Sequence, residues 1–398
     1  MTQQSMFGGQ HKFKIDKPIR LIELFGGVGS QAMALRNIVA NFEHYRLCEF
    51  DKYSIKSYNA IHKTDFKTSD ITKLTAEDLG IIETDRYCYF MTYSFPCNDL
   101  SKAGQRQGMD KGSGTRSGLL WEVERLLNEC ENFPQVLLME NVPDVHGTKN
   151  FDNFIKWCNF LEKLGYKNYY QDLNAKNYGT AQNRNRCFMV SVLGDYYYDF
   201  PKPIKLEKRL KDYLESEVDE KYYIDNVKLN SIFNSNFSQQ KAQLQQKDIC
   251  DTILSRDYKD PKCVVVGNLD DKRYNEMTSR VHSDVGLSPT IRAFSGGCGE
   301  PKIITAAGFM LNQTDSFNAG ILKDCARTLQ ALNPNGGVVI NNYSIRKLTP
   351  LECWRLMNFT DEDFNKAQNA GISNLQLYKQ AGNSICVTVL EHIFRGML

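Results

Sequence analysis

A chain of 398 residues, 41% hydrophobic and 24% charged, has the make-up of a folded protein with one large domain and room for a smaller one. No apolar run approaches the roughly 18 residues of a membrane span, and a net charge of +2 cannot by itself argue for a nucleic-acid partner. The 12 cysteines form no Cys-x-x-Cys pair, and no histidine (His11, His44, His62, His146, His282, His392) pairs with a cysteine at zinc-like spacing; reduced thiols, a cytoplasmic setting and no metal site are expected.

Residues 1–18 are polar, without the hydrophobic core of a signal peptide, and read as a flexible tail. Ile19 to Phe25 reads as a strand, Gly26-Gly27-Val28-Gly29-Ser30 as a tight turn, and Gln31 to Ala40 as a helix. Strand, glycine turn and helix make a place where backbone N–H groups face a ligand, although neither GxGxxG nor a P-loop is present. The next strand, Tyr45 to Cys48, runs into Glu49, about 20 positions past the turn, where a carboxylate suits a ribose diol. Lys52 to His62 follows as a helix, and Asp70-Ile71 sits where a third strand is expected to end. For each carboxylate the competing reading is a helix cap or a solvated loop.

Tyr87 to Met91 reads as a buried strand that leads into Tyr93-Ser94-Phe95-Pro96-Cys97-Asn98-Asp99-Leu100-Ser101. Pro96 forces the chain out of the strand, which leaves Cys97 in a loop at a carboxyl end, where open α/β sheets build their sites. A buried, inert thiol is the commoner role of a cysteine. Gly104 to Ser117 is long, polar and basic, and Pro201 to Tyr213 is a second basic stretch; a solvated surface explains either as well as a partner does. Leu119 to Leu127 carries a helical apolar stripe. Pro134 to Met139 is an apolar strand that runs directly into Glu140-Asn141-Val142, and burial raises the pKa of such a glutamate. Phe151 to Leu164 is again a helix, closed by Gly165.

Gln182, Arg184 and Arg186 point the same way in an extended segment and offer donors to a carbonyl or phosphate; a solvent-facing edge strand is the alternative. From Asp195 to Ile345 the composition shifts toward Asn, Gln and Gly. There Thr252, Thr290 and Thr328 stand 38 residues apart, each followed by an apolar run (Val264–Val266, Ile303-Ile304, Val338–Ile340). Gly296-Gly297 and Gly336-Gly337 read as hairpin turns or close approaches to a backbone, so this region is expected to be a small β-rich domain of three similar units.

Taken in order, these segments make the chain resemble the cytosine-5 DNA methyltransferases, over Ile19 to Val192 and again from Arg346 to the end. Phe25-Gly26-Gly27-Val28-Gly29 is similar to that family's S-adenosylmethionine loop, with Gly26 where alanine is usual. Phe95-Pro96-Cys97 is similar to its nucleophile motif, although Asn98 replaces a customary glutamine and Tyr93-Ser94 stands where many members have two glycines. Glu140-Asn141-Val142 matches the family's glutamate motif unchanged, and Arg346 to Glu352 and Gln380 to Ile385 look like its last two motifs.

The resemblance implies an α/β, Rossmann-like sheet with helices on both faces, spanning 19–200, and a smaller β-rich target-recognition domain at 201–345. Residues 346–398 would follow, their last helix, Ile385 to Phe394, returning to the first domain. The implied activity is methylation of carbon 5 of a flipped cytosine in a specific double-stranded DNA sequence, by a monomer, in restriction-modification or phage self-protection, with any cognate endonuclease acting separately. An RNA cytosine-5 methyltransferase of the tRNA-aspartate branch and a catalytically inactive DNA-binding relative are the alternatives. Cys97 is then the nucleophile, Glu140 the group that holds the ring nitrogen and exocyclic amine, and Arg184 and Arg186 share the base carbonyl and the positioning of Glu140 or a phosphate. For S-adenosylmethionine the resemblance implies Phe25, Gly27, Gly29, Glu49, Asp70, Ile71, Pro96, Leu120 and Asn383. For DNA, Ser101, Lys102 and Arg106 would act in a closing loop with Gln182 beside them, while Arg292, Gly296, Gly297, Gly336 and Gly337 read the major groove.

Overall fold

The computed structural model describes residues 11–97, 99–100, 108–222, 244–245, 250–255, 263–266, 307–310, 322–323, 336–338 and 344–398. The chain divides into two compact units: Met1–Lys208 with Thr252–Ser255 and Cys353–Leu398, and Arg209–Asp251 with Arg256–Glu352.

The first unit is built on six strands: β1 (Ile19–Leu24), β2 (Phe42–Cys48), β3 (Cys88–Tyr93), β4 (Val136–Asn141), β5 (Tyr166–Asn174) and β6 (Asn185–Leu193). Their order is β2-β1-β3-β4-β6-β5. β1 pairs in parallel with β2 and β3, and β3 with β4; β6 runs antiparallel to both β4 and β5. The central strands β3 and β4 are buried along their whole length, as continuous apolar runs covered on both faces must be. On one face Tyr89, Met91 and Tyr93 share a core with α3 (Leu120–Glu129) and α4 (Phe151–Lys163). On the other, Phe90 meets Phe394 of the last helix, Val387–Arg395, with ring centroids 5.2 Å apart. Each fully buried Leu or Phe in these layers is worth roughly 1.5–3 kcal/mol, which makes this sheet a rigid platform for its strand ends.

After β1 the chain passes to β2 on one side, and β3 returns on the other side of β1. This reversal opens a crevice at the carboxyl ends of β1 and β3. Leu24 is level with Tyr93, and Tyr93 with Met139, so Phe25, Ser94 and Glu140 stand at one height, with β4 continuing through Asn141 in its pairing with β6. No strand ends at Asp70, contrary to the sequence expectation. Residues 63–70 hold a single large apolar side chain, too little for a central strand, and the Asp70 carboxylate instead caps the short helical turn Ile71–Lys73, accepting from the N–H of Thr72 at 3.0 Å. Asp51 caps α2 (Lys52–His62) in the same way.

Directly beneath the glycine turn lies a buried polar cluster. Glu23 of β1 accepts a hydrogen bond from the Tyr58 hydroxyl, His44 Nδ1 lies 2.8 Å from that hydroxyl, and His62 Nε2 lies 3.1 Å from the Val28 carbonyl oxygen. Burial pushes the Glu23 carboxyl up to about 7 and the imidazoles of His44 and His62 down to about 4 and about 3. The neutral form of each group is the one the fold prefers. The cluster also fixes the turn above it: a Cβ on Gly29, at φ +84°, would come within 2.4 Å of His62 Nε2. A Cβ on Gly26 would come within 2.4 Å of Leu47 Cδ1, so a larger residue there would require that side chain to move.

Residues 252–255 belong to the first unit. The Thr252 hydroxyl donates to Asn183 O at 2.7 Å, and Ile253 N donates to the Gln182 side chain at 3.0 Å. Ser255 lies so close to the helix Asn374–Asn383 that a Cβ on Gly382 would sit 2.0 Å from its backbone nitrogen. The first of the three evenly spaced threonines, Thr252, therefore groups with the sheet unit rather than with the second unit. In the second unit, Cys263–Val266 pairs antiparallel with Ser344–Lys347, and Ala307–Met310 pairs antiparallel with Leu322–Lys323 and Gly336–Val338. Gly336 and Gly337 thus lie within a ladder, opposite Met310 and Phe309, and not at a hairpin turn. Backbone pairing holds them extended despite a turn-like sequence. Arg292, Gly296, Gly297, Ile303-Ile304, Thr290 and Thr328 lie outside the described residues.

Two outcomes follow from this packing. Because the folded pKa of Glu23 lies above its ordinary 4.5, it opposes folding increasingly as pH rises from about 4.5 through about 7. Glu23→Gln should remove that loss and make the protein more stable than wild type at pH 8, by up to roughly 3 kcal/mol. Urea titrations at pH 5 and pH 8 check this, and identical pH slopes for the two proteins would rule Glu23 out. Gly382→Ala should destabilise by more than about 2 kcal/mol through overpacking, although alanine is ordinarily worth about 1 kcal/mol over glycine in a helix. A rise in its denaturation midpoint would contradict the docking of 252–255.

Candidate active site

Phe25, Gly27 and Asn383, from the glycine turn and the helix Asn374–Asn383, line a shallow open cleft, joined by Ser30, Ser94 and Gln380. Gly27 adopts φ +58°, and a Cβ built on it meets nothing within 4 Å among the described residues, so its outer side is open to a ligand. Its N–H donates to Glu49 Oε2 at 2.9 Å, while Glu49 Oε1 accepts from Asp51 N at 2.7 Å. Glu49 thus grips the turn from the end of β2. Gly29 serves close packing beneath the turn. Ile71 and Leu120 are core residues at the starts of a short turn and of α3.

The loop after β3 is tied down at several points. The Ser117 hydroxyl donates to Pro96 O at 2.7 Å, the Ser117 N–H donates to Asp99 Oδ2 at 3.1 Å, and Gly108 N donates to Asp99 O at 3.1 Å. Asn141, the last residue of β4, donates to Phe95 O at 3.0 Å. These bonds hold Cys97 beside the strand end that carries Glu140. The sequence reading gave Asn141, Asp99 and Ser117 no role of their own. Each is a short polar residue in an unremarkable setting, and only its buried partner reveals its role. Asn98, Ser101, Lys102 and Arg106 lie outside the described residues.

Glu140 is only 8% exposed, and Arg186 Nε stands 3.2 Å from its Oε1. Burial pushes the Glu140 carboxyl above its ordinary 4.5; Arg186, Arg184 and a hydrogen bond from Ser94 pull it back. Burial likewise pushes the half-buried Cys97 thiol above its ordinary 9.0. The Glu140 charge adds to this, and the two arginines oppose it. Thiol and carboxyl therefore titrate as a coupled pair: a proton on Glu140 removes one of the charges that resist the thiolate. Ser94, a departure from the usual glycine, supplies a donor to the carboxylate.

The arginines separate. Arg184 is buried, and its Nη atoms donate to the carbonyls of Ile253 (2.8 Å), Gly382 (3.0 Å) and Ser384 (2.7 Å). Burial and the neighbouring Arg186 lower its pKa to about 10, which leaves it charged at neutral pH. It braces two backbone segments, the stretch at Ile253 and the helix end at Gly382 and Ser384, whereas Arg186 faces Glu140. Gln182 does not face a partner molecule as the sequence reading expected. It is fully buried, its Nε2 donating to Leu356 O at 2.8 Å and its Oε1 accepting from Ile253 N, because the inward side of this segment meets the C-terminal chain and not solvent.

Residues 19–398 match the family model of the C-5 cytosine-specific DNA methylases. The orphan methyltransferase M.SPBetaI of Bacillus phage SPbeta is 31% identical, over 96% of this chain and 97% of its own. M.HhaI, a type II methyltransferase of Haemophilus parahaemolyticus, is 26% identical over 94% of this chain and 93% of its own. Among solved structures, the Entamoeba histolytica methyltransferase EhMeth aligns with a TM-score of 0.62 at 16% identity, covering 96% of this chain and 98% of that one, a likeness of fold alone. The chain belongs to the C-5 cytosine-specific DNA methylase family, and it is a DNA cytosine-5 methyltransferase.

Proposed function

We propose that Cys97 is the nucleophile and Glu140 the base-holding acid of a reaction on a cytosine flipped out of double-stranded DNA, with S-adenosylmethionine as methyl donor. The observation that carries this reading is the buried Glu140–Arg186 pair, level with the Cys97 loop and next to the glycine-lined cleft. Carbon 5 of cytosine is a poor nucleophile. A thiolate from Cys97 bonding to carbon 6 makes it an enamine carbon, provided the ring nitrogen carries a proton or hydrogen bond. Glu140, whose burial favours the protonated form, supplies that proton at the ring nitrogen and accepts from the exocyclic amine. Arg186 holds the Glu140 carboxylate in place, and Arg184 acts as a positioning residue through the backbone it braces. Once carbon 5 is methylated, it loses its proton to a base, the ring nitrogen returns its proton to Glu140, the carbon–sulfur bond breaks, and Cys97 leaves as the thiolate.

The cleft suits the donor. Gly27 leaves room at the turn, Phe25 and the 77%-exposed Phe50 offer rings to a nucleobase, Glu49 a carboxylate to a ribose diol, and Asn383 an amide. Gly29, Asp70, Ile71, Pro96 and Leu120 would support this pocket. When bound, S-adenosylmethionine supplies a methyl group on a positively charged sulfur.

The second unit, with its short antiparallel strands, is assigned to reading the DNA sequence, and the basic segment around Lys102 and Arg106 to closing over the flipped base. We take the enzyme to work as a cytoplasmic monomer; no described helix is long and apolar enough to cross a membrane. Its relatives include proteins named orphan and type II methyltransferases, and we take this enzyme to act in restriction-modification or phage self-protection.

DNA containing 5-fluorocytosine should trap the wild-type enzyme covalently in the presence of S-adenosylmethionine, because the fluorine cannot leave as a proton does. An adduct that survives Cys97→Ala, or no adduct with wild type, would sink the nucleophile. Replacing residues 230–341 with the same region of a relative should move methylation to the relative's sites. Bisulfite sequencing that still finds the original sites would remove the second unit from recognition.

A further inference from the structure

On the face of the sheet opposite Glu140 and Arg186, three side chains of different chemistry converge. Cys187 of β6 is level with Asn141 of β4 on one side and with Asp172 of β5 on the other. His146 ends the short turn Pro143–His146 that follows β4. Its Nε2 lies 2.9 Å from Asp172 Oδ1, and one donor atom from each of the three residues lies within 4.8 Å of the other two. The imidazole is flanked by Phe154 and Tyr170, with ring centroids 5.9 Å and 5.8 Å away, which fixes its orientation. Cys187 is fully buried, while the side chains of His146 and Asp172 are 27% and 33% exposed, so the trio has a closed inner end and an open outer one.

We propose that His146, Asp172 and Cys187 form a binding site for a divalent cation of the zinc class. Nitrogen, carboxylate oxygen and thiolate sulfur are the zinc donor set, and in tetrahedral coordination they stand about 3.3–3.7 Å apart, which small side-chain rotations reach from the present spacing. Magnesium and calcium, which prefer all-oxygen sets, are poor matches. Three protein ligands leave the fourth position to water on the exposed side. On binding, the Cys187 thiol releases its proton to solvent and forms the metal–sulfur bond. The ion would lash the turn after Glu140 to β5 and β6, bracing the strand end that carries the reaction without touching the reacting atoms.

The test uses the full chain in a non-thiol reductant, titrated with cobalt(II) as the optical probe and zinc(II) as competitor. One equivalent of cobalt should produce a thiolate-to-metal absorption band that zinc abolishes and that is retained in Cys97→Ser. Cys187→Ser should lose the band, and His146→Ala and Asp172→Asn should each weaken binding at least tenfold. Zinc should raise the unfolding midpoint of wild type and not that of Cys187→Ser. No band, a band that survives Cys187→Ser, a band lost in Cys97→Ser, or unchanged affinity in both His146→Ala and Asp172→Asn would overturn the site. The last two variants alter partly exposed side chains and keep the test decisive if Cys187→Ser fails to fold.

Discussion

A carboxylate at the end of a fully buried strand is tolerable only if something answers its charge, and in this protein Arg186 does so for Glu140. The pair sits where β4 runs just past the ends of β1 and β3, so its placement depends on the register of the whole sheet. Arg186 lies on β6, antiparallel to β4, which lets a residue well over 40 positions away in sequence face Glu140 directly. The same field reaches Cys97, whose thiol is resisted by Glu140 and favoured by the arginines. One electrostatic arrangement therefore sets both the carboxyl that must hold a proton and the sulfur that must lose one.

Close backbone approach is the second constraint. Gly27 leaves open space for a ligand, Gly29 leaves space for His62, and Gly382 leaves space for Ser255. These are three different uses of the same missing side chain. The Gly382 contact also explains Arg184. The guanidinium gathers carbonyls from Ile253, Gly382 and Ser384, joining a short returning segment and a helix end to the strand that carries Arg186. A buried arginine spent on neutral carbonyls orders the backbone, and its charge still bears on the thiol at a distance.

The central strands β1, β3 and β4 were legible in the sequence because they are apolar runs of strand length, whereas the largely polar β5 carried no such signal. Cys97, Glu140 and the alternation of Gln182, Arg184 and Arg186 could be placed at strand ends for the same reason. Where local pattern was ambiguous it misled. Asp70 stood at the end of too polar a stretch to be a strand, and Gly336-Gly337 looked like a turn and is part of a ladder. The first of the evenly spaced threonines, Thr252, groups with the sheet unit.

By itself the sequence determined the central strands, the order of the site-bearing loops and the residue types the chemistry requires, since those follow from local periodicity and composition. It could not assign the two arginines, reveal that Gln182 faces inward, or bring His146, Asp172 and Cys187 together. These depend on antiparallel register between β4, β5 and β6, which makes neighbours of residues far apart in the chain. Tertiary structure decided them because pairing across strands is set by the packing of the whole sheet, and no local spacing encodes it.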